Sequence, residues 1–150
     1  MIRRAPASDN ARAMNRLQHI FLIEDNAGDV LLIRQTLDGM DIPLQVHVAR
    51  DGDQALFMLA EGHFQPDLIL LDLNLPRVSG NWFLARCKPT VPVVVFSSTS
   101  NPADIRQAAE LDVKEFVQKP SDLEQYAECV CRIVRDWLPG VDSTSLSGAY

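Results

Sequence analysis

A run of four apolar residues, Leu68 to Leu71, leads directly into a lone carboxylate, Asp72. A segment this apolar is typical of a strand that is buried on both faces of a parallel sheet. In open sheets of that kind, ligands bind at the carboxyl ends of the strands. The run therefore predicts an α/β fold that presents Asp72 at a binding crevice.

Short apolar segments alternate with helical patterns along the rest of the chain. We predict strands at 19–24, 44–49, 67–72, 91–96 and 114–117. The helices that follow them are predicted to begin near Asn26, Asp51, Gly80, Asn101 and Ser121, most of which can cap a helix. Alternating strands and helices joined by right-handed crossovers give a doubly wound, three-layer α/β sandwich of (βα)5 type.

The last predicted helix begins with a capping box of Ser121 and Glu124. Its predicted inner face consists of Leu123, Tyr126, Ala127, Val130, Val134 and Trp137. Cys131 and Ile133 then lie off that face. Two interpretations stay open: these residues are a slightly apolar edge of the core, or they belong to a homodimer interface.

The length of 150 residues predicts one domain. We assign residues 1–17 to a flexible N-terminal arm, 18–138 to the domain and 139–150 to a flexible C-terminal tail. The arm carries four arginines, which we interpret as solvated charge without a partner.

Charge and composition narrow the function classes. The net charge of −6 argues against a nucleic-acid-binding surface, which needs a basic footprint. The three cysteines form no C-x-x-C motif, which favours free thiols in a reducing compartment. Neither a transmembrane run nor an apolar signal core is present in the sequence, so we expect no membrane association and a cytoplasmic location.

Polar residues gather where the predicted strands end. Glu24 and Asp25 follow the first strand, Asp72 follows the third, Ser97 follows the fourth and Lys119 follows the fifth. Three carboxylates at one sheet edge repel one another unless a cation is present, and hard oxygen ligands suit Mg²⁺. A hydroxyl and an ammonium can donate to phosphoryl oxygens. Together these residues predict the transfer of a phosphoryl group.

This ordered set resembles the CheY-like receiver domains of bacterial two-component response regulators. The matching residues are Glu24-Asp25, the Leu70 to Pro76 segment around Asp72 with Gly80, Ser97, Phe116 and Lys119-Pro120. The resemblance covers residues 18–138 and implies a flavodoxin-like sheet of order 2-1-3-4-5. The segments 21–29 and 97–102 are most similar to single-domain regulators that partner phytochrome-type histidine kinases.

The resemblance also implies a role for each matching residue. Asp72 would be the phosphoacceptor, forming an aspartyl phosphate with a phosphoryl group taken from a histidine kinase. Asp25, Asp72 and the backbone carbonyl of Asn74 would ligate Mg²⁺, with Glu24 acting through water. Lys119 would pair with a phosphoryl oxygen, and its bond to Pro120 is expected to be cis.

Ser97 and Phe116 would form the switch that reports phosphorylation. Ser97 would bond the phosphoryl group and draw its loop inward while Phe116 changes rotamer, altering the surface of the fourth helix, fifth strand and fifth helix. We expect a stand-alone regulator whose output is a downstream protein, a phosphotransfer protein or a homodimer formed by that surface. Asn74 and Thr99 would tune a modest autodephosphorylation, the only turnover expected of a protein that is not otherwise an enzyme.

The sequence departs from the usual pattern of this family in three places. Ser97 replaces a more frequent threonine but keeps the hydroxyl, and Phe116 lacks a tyrosine hydroxyl. The segment 86–91 is several residues shorter than in the phytochrome-partner group, which leaves the end of the third helix uncertain.

Three other functions remain to be weighed. A magnesium-dependent phosphohydrolase with an aspartyl-phosphate intermediate would carry its nucleophile in a D-x-D-x-T motif after the first strand and would need a cap. Here Asp72 follows the third strand instead, and no spare length of chain is expected for a cap. A flavodoxin-like FMN binder would need a first loop that attracts phosphate, whereas Glu24 and Asp25 repel it. A receiver that binds a partner without phosphorylation is the third alternative, although the chemical groups for phosphorylation are all present.

Overall fold

A computed structural model describes residues 16–138. Five parallel strands form one sheet in the order β2-β1-β3-β4-β5, which confirms the predicted fold class. The strands are β1 (Gln18–Ile23), β2 (Leu44–Ala49), β3 (Leu68–Leu71), β4 (Val93–Ser97) and β5 (Glu115–Gln118). The helices are α1 (Ala27–Asp38), α2 (Gly52–Glu61), α3 (Gly80–Cys87), α4 (Pro102–Glu110) and α5 (Leu123–Trp137).

Helices cover both faces of the sheet, so its strands are apolar at nearly every position. One core cluster joins Leu68 and Leu70 of β3 to residues of α1 and α5, including Ile33 and Val134. The other joins Ile69 and Leu71 to residues of α2, α3 and α4. Because strand side chains alternate between faces, a continuous apolar run is what a strand between two helical layers requires. The interpretation of 68–71 as a doubly buried strand is confirmed.

Capping residues fix where three of the predicted helices begin. The side chains of Asn26, Asp51 and Asn101 each accept a hydrogen bond from a backbone N–H in the first turn of α1, α2 and α4. Such a bond satisfies one of the helix's free N–H groups. The C-terminal end of α3 is also defined by its cap. Lys88 adopts a left-handed conformation with φ +47° and ends the helix just before Pro89.

The start of α5 and part of its inner face differ from the sequence-based prediction. Asp122, not Ser121, caps the helix by accepting from the N–H of Gln125. Leu123 is 66% exposed, whereas Ile133 is fully buried and Cys131 is buried. Tyr126, Val130 and Val134 of the predicted face are buried as expected, so the apolar stripe begins after the first turn of the helix. Because Cys131 and Ile133 are buried in the core, they are not available to form a homodimer interface.

Most of the predicted arm and all of the predicted tail (1–15 and 139–150) lie outside the described residues. Arg16, the first described residue, pairs with Asp67 at 3.1 Å. Cys87, Cys129 and Cys131 are free thiols, as expected. Of the helices found between residues 16 and 138, none has both the length and the apolarity needed to cross a membrane.

Candidate functional site

Backbone hydrogen bonds of the sheet place the predicted site residues at one edge. The N–H of Glu24 donates to Ala49 at 2.9 Å, and the N–H of Asp72 donates to Ile23 at 3.0 Å. These residues therefore continue β1 and β3 by one ladder step. In the same way, the N–H of Lys119 donates to the carbonyl of Ser97 at 2.9 Å. The sheet thus carries each of these side chains to the same crevice on rigid backbone.

Asp72 is 5% exposed, and donors hold both of its carboxylate oxygens. Ser97 Oγ donates to Oδ1 at 2.6 Å, and the backbone N–H of Asn74 donates to the same oxygen at 2.9 Å. Lys119 Nζ lies 3.0 Å from Oδ2. These donors fix the orientation of the Asp72 carboxylate in the crevice.

Lys119 is the cation at the centre of the site. Its ammonium contacts three carboxylates, with Nζ 2.7 Å from Glu24 Oε1, 3.0 Å from Asp72 Oδ2 and 3.3 Å from Asp29 Oδ2. Burial lowers the pKa of Lys119, but hydrogen bonds and charge from Glu24 and Asp72 outweigh burial and raise the pKa overall. Lys119 therefore stays charged across the physiological pH range.

Glu24 is the most buried carboxylate of the group, at 1% exposure. Burial, helped by the charge of Asp72, raises its pKa to about 7, although Lys119 acts in the opposite direction. Its Oε2 also accepts from the N–H of Asn26 at 3.1 Å. Near neutral pH this group can therefore exist in either protonation state, and a further cation beside it would favour the ionised form.

The donor set fits a divalent cation. One carboxylate oxygen from each of Glu24, Asp25 and Asp72 can be chosen so that all three lie within 4.8 Å of one another. Asp25 is exposed, so water can complete a coordination shell on that side. Carboxylates with room for several waters match the preferences of hard cations such as Mg²⁺ and Mn²⁺.

Gly80 allows the backbone after Asp72 to fold back against α3. A Cβ added at Gly80 would lie 2.7 Å from the carbonyl oxygen of Asp72 and 3.1 Å from a methyl group of Leu73. No side chain fits at that distance from a backbone atom. The sequence match at Gly80 therefore has a steric cause: only glycine allows this close approach to the backbone of Asp72.

Phe116 lies on the same side of the sheet as Ser97. It is partly buried and packs against the core cluster that contains Val95, the β4 residue with which it pairs. Ser97 is two positions beyond Val95, so its side chain points to the same face. The structure thus places the two predicted switch residues on neighbouring strands of one face.

Two contacts of the site were not predicted from the sequence. Asp29 in the first turn of α1 approaches Lys119, and the hydroxyl of Tyr126 in α5 donates a short hydrogen bond to Asp29 Oδ1. Burial and the neighbouring carboxylates raise the pKa of Tyr126, so its hydroxyl remains a donor. The local patterns assign these residues to a helix terminus and a core face, and neither pattern reveals the contact between them.

The expected cis bond between Lys119 and Pro120 is wrong. Between residues 16 and 138 every peptide bond is trans. The trans form of an X–Pro bond is intrinsically favoured by about 0.5–1 kcal/mol. From this backbone the ammonium already reaches Glu24 and Asp72, so the cis form is not needed for contact.

Comparison with known proteins identifies the family to which a chain with this site belongs. The family model of the response regulator receiver domain matches residues 20–130 of the chain. The chain belongs to the response regulator receiver family. As a receiver, it is a signalling protein whose sheet, acidic crevice and lysine are those expected from the resemblance.

Among curated proteins, this receiver is 33% identical over 132 residues to the response regulator Rcp1 of Synechocystis sp., covering 81% of this chain and 90% of Rcp1. It is 31% identical over 128 residues to a probable methanogenesis regulatory protein, FilR2, of Methanothrix harundinacea, covering 79% and 83%.

Among solved structures, the receiver is similar to the phosphorylated cyanobacterial phytochrome response regulator RcpA, with a TM-score of 0.78, 37% identity and coverage of 85% of this chain and 98% of RcpA. The Mn²⁺-bound form of Rcp1 gives a TM-score of 0.76 and 32% identity, with coverage of 83% and 97%. The receiver is thus close to phytochrome response regulators in both sequence and structure.

Proposed function

We propose that Asp72 accepts a phosphoryl group from a phosphohistidine of a sensor histidine kinase. The observation that carries this proposal is the bracketing of Asp72, with Ser97 and Asn74 donating to one oxygen and Lys119 to the other. A carboxylate oxygen forms a new bond to phosphorus as the bond from phosphorus to the histidine nitrogen breaks, and that nitrogen keeps the electron pair. The product is an aspartyl phosphate.

We assign the metal to Mg²⁺. Asp25, Asp72 and the backbone carbonyl of Asn74 would hold the ion, and Glu24 would act through a bound water. The ion would neutralise negative charge on the transferring phosphoryl group. The close approach of the Glu24, Asp25 and Asp72 oxygens supports this assignment, and so does the Mn²⁺ found with Rcp1.

Ser97 and Phe116 form the proposed switch. Ser97 would exchange its hydrogen bond with Asp72 for one to the phosphoryl group, drawing the β4–α4 loop inward, and Phe116 would turn into the space that this movement leaves. The surface of α4, β5 and α5 would change as a result, and a downstream protein or a phosphotransfer protein would bind it. A homodimer through the same surface is a further proposed output.

The proposed input is a phytochrome-type histidine kinase in the cytoplasm. The likeness to RcpA and Rcp1 supports this partner. The proposed signal ends by hydrolysis of the aspartyl phosphate, with Asn74 and Thr99 controlling how water reaches it. Asn74 is exposed and Thr99 is nearly buried, which favours access of water from the Asn74 side.

The test is incubation with acetyl phosphate and Mg²⁺, followed by intact mass measurement. We expect a gain of one phosphoryl group in wild type, none in Asp72→Ala, and none when a chelator removes the metal. Asp67→Ala is a matched control, because Asp67 is a carboxylate at the opposite end of β3. An unmodified wild type would instead favour a receiver that binds its partner without phosphorylation. Equal modification of Asp72→Ala would show that Asp72 is not the phosphoacceptor.

A further inference from the structure

The contact between Asp29 and Tyr126 joins the site to α5 by a path that involves neither Ser97 nor Phe116. The two oxygens of the Asp29 carboxylate have different partners. Tyr126 donates its hydroxyl to Oδ1, and Lys119 Nζ lies 3.3 Å from Oδ2. Tyr126 itself is buried, and its ring packs edge-on against Phe96 of β4 with the ring centroids 5.0 Å apart. Asp29 is therefore shared between the lysine and a fixed hydroxyl.

The Lys119 ammonium donates hydrogen bonds to Glu24 and Asp72, and it forms an ion pair with a third carboxylate, Asp29, at 3.3 Å. Lys has three donors and no acceptor, so a phosphoryl oxygen that approaches the ammonium competes with these carboxylates for it. The longest of the three contacts is the one to Asp29, and Glu24 and Asp72 lie closer. Asp29 is also the most exposed of the three carboxylates, so water can solvate it after the lysine moves. The contact with Asp29 is therefore the least costly one to exchange.

We propose that Asp29 and Tyr126 are positioning residues that set how readily Lys119 turns to a phosphoryl group: Asp29 restrains the ammonium, and Tyr126 weakens that restraint. This inference rests on the proposed phosphorylation of Asp72. A carboxylate that gives up a cation is left with uncompensated charge, and a hydrogen bond to a charged group offsets part of that cost. The hydroxyl of Tyr126 supplies such a bond, and it remains after Lys119 leaves.

Opposite effects of two conservative substitutions follow from this proposal. Asp29→Asn removes the competing charge, so phosphorylation by acetyl phosphate should become faster, by about threefold. Tyr126→Phe removes only the hydroxyl and leaves Asp29 with Lys119 as its main partner. Phosphorylation should then become slower, by about threefold to tenfold.

A merely structural role for this contact predicts a different pattern. If Tyr126 only held α5 against α1, both substitutions would lower the unfolding temperature. The phosphorylation rates of the two variants would then not change in opposite directions. The double variant separates the two cases further. Because Tyr126 acts through Asp29, the rate of Asp29→Asn/Tyr126→Phe should equal that of Asp29→Asn alone.

The experiment measures the rate constant of phosphorylation by acetyl phosphate at saturating Mg²⁺, by intact mass, for wild type, both single variants and the double variant. Glu124→Gln is the matched control, because it removes an exposed carboxylate from the first turn of α5, and it should leave the rate unchanged. Unfolding temperatures are recorded for each variant. Rate changes of the same sign in both single variants, or fully multiplicative effects in the double variant, would overturn the proposal.

This outcome is distinguishable from failure of the proposed function. If wild type gains no phosphoryl group, the function assigned to Asp72 fails first. If wild type is phosphorylated and Asp72→Ala is not, but Asp29→Asn and Tyr126→Phe both match wild type, only the role of Asp29 and Tyr126 fails.

Discussion

Ser97 Oγ donates a hydrogen bond of 2.6 Å to Asp72 Oδ1, and both residues are buried. The hydroxyl proposed to bind the phosphoryl group is thus already bound to the carboxylate that would receive it. On phosphorylation, the Ser97 hydroxyl would exchange this carboxylate oxygen for a phosphoryl oxygen attached to the same residue, so a short inward movement of its loop would be enough. This relationship makes Ser97 important to the unphosphorylated protein as well, and its contribution there can be measured.

Replacement of Ser97 by alanine should reduce stability before any phosphorylation. The substitution removes a hydrogen bond to a buried carboxylate and the acceptor of the Thr99 N–H, so the free energy of unfolding should fall by about 1–3 kcal/mol. Urea unfolding of the metal-free protein measures the change. Ser98→Ala is the control, since Ser98 is exposed and its loss should change stability by less than about 0.5 kcal/mol. Equal stability of the two variants would contradict this role.

Replacement of Lys119 by glutamine should make the fold dependent on metal. The variant leaves Glu24 and Asp72 buried without a cation, and loss of one partner of a buried ion pair costs about 3–5 kcal/mol. Protonation of Glu24 would relieve part of that cost. We therefore expect a fall of about 2–4 kcal/mol in urea unfolding with chelator at pH 7.5, and partial recovery with Mg²⁺.

Lys114→Gln is the control for this experiment, because Lys114 is an exposed lysine just before β5. Its unfolding free energy should match wild type with and without Mg²⁺. If the unfolding free energy of Lys119→Gln were the same with and without Mg²⁺, the cation would not occupy the acidic crevice.

The pKa of Glu24 predicts a stability that declines as pH rises. Its pKa is raised from 4.5 in the unfolded chain to about 7 in the fold, so the folded state binds more protons between these values. Stability from this group is therefore present at low pH and is lost as pH rises through about 7, by up to about 3 kcal/mol in total. Lys119 does not contribute in this window, because its pKa is raised above 10.5.

The measurement compares urea unfolding of the metal-free protein at pH 5.5 and pH 7.5. Glu24→Gln mimics the protonated carboxyl at both values, so its decline over this range should be smaller than that of wild type. Mg²⁺ should also reduce the decline of wild type by favouring the ionised form. Parallel pH profiles of wild type and Glu24→Gln would count against the raised pKa.

Replacement of Gly80 by alanine should disturb the site through its backbone. Alanine is normally better than glycine in a helix by up to about 1 kcal/mol. Here its Cβ would lie 2.7 Å from the carbonyl oxygen of Asp72, so the segment 72–73 must shift. We expect a loss of about 1–3 kcal/mol in urea unfolding, together with slower phosphorylation by acetyl phosphate.

Gly39→Ala supplies the comparison for Gly80. Gly39 has an ordinary negative φ, and a Cβ there would be 3.4 Å from the carbonyl oxygen of Thr36, a normal contact. Its replacement should leave stability unchanged or raise it slightly. The same small effect at both glycines would mean that the contact with Asp72 is not a constraint.

Several features of this receiver could be predicted from the sequence because each depends on a local pattern. The apolar run 68–71 fixes a doubly buried strand, and Asn26 and Asp51 fix helix starts. The carboxyl ends of parallel strands lie at one edge, so Glu24, Asp72 and Lys119 could be placed together before any coordinates were known.

Other features depend on the packing of distant elements and could not be predicted in this way. Tyr126 and Asp29 are 97 positions apart, and each has a sufficient local explanation in its own helix. On the inner face of α5 the prediction is wrong for Leu123, which fits the helical period but lies in an exposed first turn. Periodicity finds an apolar stripe, but the partners that pack against it decide its phase.

The contacts of Lys119 carry a consequence for synthesis of the chain. Its partners Glu24 and Asp72 precede it by 95 and 47 positions, so a ribosome completes both acidic strand ends long before it adds the lysine. A nascent chain that ends before β5 would hold its carboxylates without their counter-ion. The acidic crevice therefore gains its lysine only late in translation, and a chain truncated before β5 would lack the ammonium proposed to bind a phosphoryl oxygen.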